Sequence, residues 1–233
     1  QTLVPPAITM TLYFLIFGKL IGSRIGDMGG FDYMDFIVPG LVMMSVIQNA
    51  YGNISSSFFG AKFGRHVEEL LVSPMPNHVI LAGYVAGGVL RGLMVGLIVL
   101  AIAMLFTHVR IPHPLIMIST ILLGAVVFSL AGFVNAVYAK KFDDIAIVPT
   151  FLLTPLSYLG GVFYSVKLLP DWAQAATQAD PIFYMVNAFR YGLLGEKGTD
   201  VSIWLSYAVM LGFTVALGWL GMFLLKRGIG LRS

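Results

Sequence analysis

The sequence has 233 residues, of which 58% are hydrophobic and only 11% are charged, and its mean hydropathy is +0.88. A soluble domain carries roughly 25% charged residues, so this chain has too little polar surface to cover a water-soluble globule. We therefore predict an integral membrane protein. The net charge of +3 does not favour nucleic-acid binding, and a sequence without Cys excludes disulfides, thiolate nucleophiles and iron–sulfur ligation.

Six apolar segments are long enough to cross a bilayer as helices, which takes about 20 residues. Because only helices satisfy their own backbone groups in lipid, these segments predict an all-α polytopic membrane fold. The predicted spans form a single domain over residues 1–233 and cover residues 2–21, 33–59, 78–106, 114–139, 145–164 and 203–225. Pro149 and Pro155 are expected to break the fifth span. Because the chain begins with Gln1 and a span follows at once, we expect further residues to precede it.

The segment between the second and third spans, residues 60–76, is much more polar than its neighbours. Its apolar side chains recur at helical spacing, and its charged side chains take the other face. The apolar set is Phe63, Val67, Leu70 and Leu71, and the charged set is Lys62, Arg65, His66, Glu68 and Glu69. We predict an amphipathic helix at about residues 61–73, ended by Pro74 and Pro76. It either receives motion from a partner outside the membrane or anchors a hairpin as an ordinary interfacial helix.

The loops do not fix the orientation by simple count, because Lys and Arg are divided almost equally between the two sides. The short loops on the side of the amphipathic helix are denser in Lys and Arg, which places that side in the cytoplasm. Six spans then put both termini in the cytoplasm. On the other side, residues 180–194 are too short to span and predict an interfacial helix capped by Asp180, with Pro181 in its first turn.

Polar and aromatic residues in the spans and at their ends are candidates for lining a substrate path, since buried polar groups are costly in lipid unless they form hydrogen bonds. The candidates are Gln48, Asn49, Asn53, Arg91, Tyr158 and Phe163. A charge at the position of Arg91 costs at least about 2.5–3.5 kcal/mol without water or a partner. Arg91 either faces the bundle interior or a wet cavity, or extends towards the cytoplasmic end. The polar residues of the second span could equally hold helices together.

Five glycines of the third span predict close packing, because small residues four positions apart let helices approach in lipid. They form two rows, one of Gly83 and Gly87 and one of Gly88, Gly92 and Gly96. The close contact could lie within the bundle or across a dimer.

Catalytic motifs do not occur in the sequence. Its histidines form no His-Glu-x-x-His zinc motif, and neither a Gly-x-Ser-x-Gly elbow nor a Gly-x-x-x-x-Gly-Lys-Ser/Thr phosphate loop is present. We predict no catalytic residues, no metal and no cofactor in this chain. A membrane-embedded enzyme using Arg91, Asp143 and Asp144 is one alternative, and an assembly scaffold without a transport path is another.

The second half of the chain carries a specific pattern of prolines, glycines and aromatic residues. It runs through Phe142-Asp143-Asp144, Pro149, Thr154-Pro155-Leu156-Ser157-Tyr158-Leu159-Gly160-Gly161-Val162-Phe163-Tyr164, Leu168-Leu169-Pro170, Asp180-Pro181-Ile182-Phe183-Tyr184 and Arg190-Tyr191. This pattern resembles the ABC-2 permease family, the membrane subunits of type V ABC exporters, and the resemblance covers essentially the whole chain. The family usually has Asn-Pro where this sequence has Asp180-Pro181, and both Asn and Asp cap helices.

The resemblance implies a multi-pass bacterial inner-membrane permease that exports an amphipathic or lipid-linked substrate, such as a glycan, a glycolipid or a drug. It implies a homodimer in the lipid bilayer and a separate cytoplasmic ABC ATPase subunit, which binds ATP and Mg. The family's coupling helix corresponds to Gly64 through Leu71, and its re-entrant helices between spans five and six correspond to residues 180–194. The implied ATPase contacts are Lys62, Gly64, Arg65, His66, Val67, Glu68, Glu69, Leu70 and Leu71.

Overall fold

The structure is a computed structural model that describes residues 2–107 and 111–230, with only the backbone described for Lys19, Ser23 and Leu71. The α-helices in chain order are α1 (Val4–Tyr13), α2 (Gly22–Ile25), α3 (Tyr33–Phe63), α4 (His66–Val72), α5 (Asn77–Ala103), α6 (Pro114–Tyr138), α7 (Phe142–Val148), α8 (Thr154–Leu159), α9 (Asp171–Gln178), α10 (Pro181–Leu194) and α11 (Ile203–Arg227). The predicted all-α class is confirmed, and short helices do lie between α8 and α11.

Shorter elements complete the fold. The π-helical segments Phe14–Ile21 and Pro149–Leu153 join α1 to α2 and α7 to α8, and the 3-10 helices are Val166–Leu168 and Glu196–Gly198. Strands β1 (Asp27–Met28) and β2 (Phe31–Asp32), each of two residues, form an antiparallel hairpin that directly precedes α3 in the sequence. The Asp32 side chain then accepts a hydrogen bond from the Met34 N–H and caps α3.

Within the described part of the chain, four helical segments are long and apolar enough to cross a membrane. They are Asn77–Ala103, Pro114–Tyr138, Phe142–Leu159 and Ile203–Arg227, and they correspond to the predicted third to sixth spans. The apolar helix Val4–Gly18 is shorter, and α3 contains many polar residues. The first and second spans therefore stay predictions.

The long helix α3 forms the centre of the bundle. It has 31 residues and packs against α5, α6 and α10. Most of its surface is buried against protein, so it does not need the uniformly apolar surface of a lipid-facing helix. A separate apolar cluster covers its C-terminal end and joins Ile54 and Phe58 to Val67 of α4, Phe133 of α6 and Leu224 of α11.

The predicted break in the fifth span is wrong, because the chain stays helical from α7 to α8 through a π-helical segment. This wider turn accommodates the prolines, and Thr154 Oγ1 donates a hydrogen bond to the Pro149 carbonyl oxygen at 2.9 Å. The helix ends at Leu159, earlier than the predicted residue 164. Gly160 and Gly161 follow it, and Gly161 has a φ of 74°, which terminates a helix readily.

Candidate functional site

The helices α3 and α4 meet at an elbow formed by Gly64 and Arg65. The Gly64 N–H donates to the Gly60 carbonyl oxygen at 2.9 Å and closes the last turn of α3. Arg65 then adopts the left-handed conformation, with φ 61° and ψ 8°. It is the one non-glycine residue with a positive φ among the described residues, and this conformation costs an L-residue about 1–2 kcal/mol.

The elbow corrects the predicted continuous helix at residues 61–73. Lys62 and Phe63 belong to the end of α3, and the separate helix α4 is His66–Val72. Phe63 was expected on the buried apolar face, but it is 67% exposed. The elbow separates it from that face, since one left-handed residue changes the direction of the helix axis.

The short helix α4 buries one side in the bundle and exposes the other. Val67 is buried in the cluster at the end of α3, and Leu70 is half-buried. The exposed polar side chains are those of Arg65, His66, Glu68 and Glu69. The side chain of Leu71, a predicted contact residue, lies outside the described atoms. The imidazole of His66 is 4.0 Å from the Glu69 carboxylate, and a solvated pair at this distance contributes little to stability.

Lys62 and Phe63 connect the elbow to the neighbouring helices. Lys62 Nζ donates hydrogen bonds to the carbonyl oxygens of Val137 and Ala139, both at 2.7 Å. Carbonyls at the end of a helix have no partner within it, and the helix dipole favours a cation there. The ring centroids of Phe63 and Phe142, the first residue of α7, are 5.1 Å apart. Displacement of the elbow would therefore act on both α6 and α7.

The charged turn before α7 has a structural use. Asp144 Oδ2 accepts hydrogen bonds from the backbone N–H groups of Lys140 and Lys141, at 2.8 and 2.9 Å. The carboxylate thereby satisfies backbone donors at the beginning of the helix. Asp143 is exposed beside it. This arrangement accounts for Asp144 without catalysis.

Two of the predicted path residues contact each other between α3 and α5. Arg91 Nη1 donates to Asn53 Oδ1 at 3.4 Å, joining α5 to α3. Gln48, Asn49 and Asn53 are all partly exposed, and the Asn49 amide donates to the Ser45 carbonyl oxygen of its own helix at 3.0 Å.

The other two predicted path residues, Tyr158 and Phe163, belong to an aromatic cluster with the first helix. Their ring centroids are 5.6 Å apart. Phe163 also lies 4.8 Å from Phe17 and 6.0 Å from Tyr13. Among the six candidates, Asn53 and Arg91 thus contact each other between α3 and α5, and Tyr158 and Phe163 form a second group that links the segment after α8 to the first helix.

One row of glycines lies where α5 meets its neighbours. A Cβ at Gly88 would come within 3.0 Å of the Ala50 carbonyl oxygen, and a Cβ at Gly96 within 2.6 Å of Val46 Cγ2. A Cβ at Gly92, which lies between them, would come within 3.0 Å of the Ala50 side chain. Only a glycine fits such spacing without displacing α3.

The second row makes no close contact of this kind with the described residues, and a contact across a dimer stays a prediction. A Cβ at Gly83 would meet no atom within 4 Å among the described residues, and one at Gly87 would meet only Asn53 Nδ2, at 3.6 Å. These two glycines are one position out of phase with the packed row, so they lie on an open side of α5 and do not pack closely against the described residues.

Arg190, on α10, is buried and was not among the predicted site residues. Its Nη2 donates to the Gly161 carbonyl oxygen at 2.7 Å, and its guanidinium lies 4.0 Å from the centre of the Phe36 ring. Burial lowers the pKa of Arg190 to about 10, with Asp200 opposing the shift, so the side chain stays cationic at neutral pH. The sequence feature that could have identified this residue is the presence of an arginine inside an apolar, aromatic segment.

The N-terminus of α10 has the predicted cap. Asp180 Oδ1 accepts the Ile182 N–H at 2.8 Å, and Pro181 occupies the first turn. The second carboxylate oxygen, Oδ2, is buried without a hydrogen bond from the described residues. Burial raises the pKa of Asp180 to about 7, although the hydrogen bond from Ile182 opposes that shift.

A hydrogen-bond network ties the segment after α8 to the segment after α10. Asn187 Oδ1 accepts the Asp200 N–H at 2.8 Å, and Asp200 Oδ1 accepts the Ser165 hydroxyl at 2.8 Å. Lys167 Nζ lies 3.6 Å from the same carboxylate. Neither Asn187 nor Asp200 was predicted, because each is recognised only through residues distant in sequence.

These features define a multi-pass helical membrane protein with a small charged helix at one end of its bundle. A profile of the ABC-2 type transporter family matches residues 1–194. The inner membrane transport permease YadH of Escherichia coli (strain K12) is 60% identical over 233 residues, which cover 100% of this chain and 90% of that protein.

More distant similarity extends to two nodulation proteins. Nodulation protein J of Sinorhizobium fredii is 25% identical over 205 residues, covering 86% of this chain and 78% of that protein. Nodulation protein J of Rhizobium leguminosarum bv. trifolii is 24% identical over 191 residues, with coverage of 82% and 73%. The chain therefore belongs to the ABC-2 type transporter family, as the sequence pattern indicated, and is a transport permease.

Proposed function

We propose that this chain is the permease subunit of an ATP-driven ABC exporter in the bacterial inner membrane, with both termini in the cytoplasm. Membership of the family and 60% identity to an inner membrane transport permease support this proposal. A separate cytoplasmic ABC ATPase subunit would bind ATP and Mg and hydrolyse the nucleotide. The chain would convert the motion of that subunit into a rearrangement of its helices.

The arrangement of α4 carries the proposal. A docking helix must offer polar groups to its partner and be fixed to the elements that it moves. Glu68 and Glu69 are exposed on α4, whereas Val67 is buried in the cluster that includes residues of α3, α6 and α11. Lys62 and Phe63 connect the adjoining elbow to the end of α6 and the start of α7. A force on α4 would thus reach several predicted spans together.

The substrate in this proposal is amphipathic or lipid-linked, such as a glycan, a glycolipid or a drug. A bundle of six spans is small for a continuous path, so a second copy of the chain completes the permease. The open side of α5 at Gly83 and Gly87 and the aromatic cluster around Phe163 supply polar and apolar surfaces at which such a molecule could be held.

Reconstitution tests the proposal. The chain and the stand-alone ABC ATPase that co-purifies with it are placed in proteoliposomes, and ATP hydrolysis is measured for the ATPase alone, the chain alone and both together. We expect hydrolysis to be faster in the combined sample and absent from the chain alone. A catalytically inactive ATPase is the matched control. Equal rates with and without the chain would contradict the proposal, and chemical turnover of lipid by the chain alone would favour a membrane enzyme.

A further inference from the structure

Arg91 lies deep in the membrane-spanning part of the molecule. Helix α5 has 27 residues, and Arg91 is close to its midpoint, roughly three to four turns from either end at 3.6 residues per turn. An arginine near the end of a span can extend its charge to the interface, but one at the centre requires water, a counter-charge or a ligand.

The contacts of Arg91 leave its charge uncompensated. Nη1 reaches Asn53 Oδ1 at 3.4 Å, which is a long hydrogen bond to a neutral group. Nε is buried and has no hydrogen-bond partner among the described residues. The ion pairs His66–Glu69 and Lys167–Asp200 do not involve Arg91.

The space beside Arg91 is open. We use the term polar furrow for the open side between α3 and α5 formed by Asn49, Gly52, Asn53, Gly83, Gly87 and Arg91. A Cβ at Gly52 or Gly83 would meet no atom within 4 Å among the described residues. At Gly87 the nearest group is the Asn53 amide nitrogen, which is itself a hydrogen-bond donor. The furrow is therefore open at these glycines, and hydrogen-bond donors of Asn53 and Arg91 lie beside them.

The outer surface of α5 next to the furrow is apolar. Leu90, Met94 and Leu97 are 59%, 40% and 62% exposed. A ligand held at Arg91 would thus have its charged group beside the guanidinium and its remaining parts against aliphatic side chains. This combination suits a molecule with one anionic group and an apolar chain.

We propose that Arg91, together with Asn53, binds the anionic group of an amphipathic molecule in the polar furrow. A phosphate, sulfate or carboxylate supplies two oxygen acceptors for the two Nη groups of a guanidinium, a match that a lysine cannot reproduce. The Asn53 oxygen orients the guanidinium, and its amide nitrogen adds a further donor. If the chain is the exporter proposed above, this anionic group belongs to the transported molecule.

The test measures binding to the purified full-length chain in a non-ionic detergent. The probes are n-dodecyl phosphate, n-dodecanol of the same chain length, and inorganic phosphate without a chain. Affinity is measured for the wild type, Arg91→Gln, Arg91→Lys, Asn53→Ala and the matched control Arg227→Gln, which removes an exposed arginine from the end of α11. Thermal unfolding of each variant confirms that it is folded.

We expect saturable binding of dodecyl phosphate that is about tenfold weaker in Arg91→Gln, because a charge-assisted pair of hydrogen bonds is lost. Arg91→Lys should lose less, Asn53→Ala should lose about two- to threefold, and Arg227→Gln should match the wild type. Dodecanol should bind weakly and be insensitive to Arg91. Competition by inorganic phosphate would identify a free anion as the ligand, and its failure to compete would identify a headgroup attached to a chain.

Equal affinity for dodecyl phosphate in the wild type and Arg91→Gln would overturn the proposal, as would equal binding of dodecanol and dodecyl phosphate. If Arg91→Gln does not fold, unchanged binding in both Arg91→Lys and Asn53→Ala would have the same meaning. Binding is measured without an ATPase, so its failure is distinguishable from failure of ATPase stimulation in the proteoliposomes.

Discussion

Lys62 Nζ lies 2.7 Å from the carbonyl oxygen of Ala139, the residue that follows the last turn of α6. This bond joins two segments far apart in sequence at the place where α3 gives way to the elbow and α4. A displacement of the exposed helix α4 would therefore be transmitted into the bundle, because the elbow contacts the end of α6 and the start of α7.

Replacement of Lys62 by Met removes the ammonium but keeps an unbranched side chain of similar size. The carbonyls of Val137 and Ala139 then lose a charged donor, so we expect a loss of about 1–3 kcal/mol in the free energy of unfolding. Thermal unfolding in detergent measures it. Lys140→Met is the control, since the Lys140 side chain is exposed and its removal should have little effect. A Lys62→Met protein as stable as the wild type would show that the bond contributes nothing.

Reversal of charge at Glu68 and Glu69, by substituting Lys at both positions, should reduce stimulation of the partner ATPase. Both side chains are exposed, so the double variant should fold and stay as stable as the wild type to within about 0.5 kcal/mol. The loss would come from repulsion at a docking surface that fits acidic side chains. Glu196→Lys, an exposed change on a different loop, serves as the control for hydrolysis rates in proteoliposomes. Unchanged stimulation in the double variant would argue against docking through α4.

Substitution of Gly88 by Leu should destabilise the contact between α5 and α3. The added side chain would meet the Ala50 carbonyl oxygen at the Cβ itself, and overpacking of this kind costs about 1–3 kcal/mol or more. Gly83→Leu is the matched control, because the same change five residues earlier meets open space among the described residues. A lower unfolding temperature for Gly88→Leu alone is expected. Equal unfolding temperatures for the two variants would remove the distinction between the glycine rows.

Substitution of Asp180 by Asn should change how stability depends on pH. The pKa of Asp180 is about 7 in the folded protein and about 3.9 in an unfolded chain. Between these values the folded state holds a proton that the unfolded state has released, so stability falls as pH rises from about 4 to about 7. Asn cannot titrate and still accepts the Ile182 N–H.

We therefore expect Asp180→Asn to unfold at a higher temperature than the wild type at pH 8, by an amount equivalent to about 1–3 kcal/mol. The difference should shrink to nearly zero as pH approaches about 4. Asp171→Asn removes an exposed carboxylate from the neighbouring helix α9 and controls for general charge effects. A difference between Asp180→Asn and the wild type that stays constant across this pH range would contradict the raised pKa.

Local sequence patterns predicted the long apolar helices, but they missed two local changes of helix geometry, the elbow at Arg65 and the π-helical segment between α7 and α8. Apolar length identified α5, α6 and α11 with ends within about three residues of those observed, because lipid-facing helices must be apolar over the thickness of the bilayer. The elbow at Arg65 escaped detection, since one left-handed residue leaves the spacing of apolar residues before and after it unchanged. Gly64 was the only local indication. The π-helical segment was also missed, because proline rules describe regular α-helices.

In the candidate site, features that depend on local sequence were predicted, whereas contacts between distant residues were not. The charged face of α4 followed from helical periodicity. By contrast, the bond from Arg190 to Gly161 joins residues 29 positions apart, and the bond from Lys62 to Ala139 joins residues 77 positions apart. Such pairs depend on tertiary packing, which periodicity and composition do not describe. The open side at Gly83 could not be separated from the packed side at Gly88 for the same reason.

The most direct test of the account places a photo-crosslinking amino acid at Glu69 of α4 in native bacterial membranes. A second protein carries the same group at Glu196. After irradiation, the crosslinked partners are identified by mass spectrometry. The account predicts that the group at Glu69 captures an ABC ATPase subunit and that the group at Glu196 does not. Capture of that ATPase from Glu196 and not from Glu69, or from neither position, would contradict the claim that the ABC ATPase subunit docks on α4.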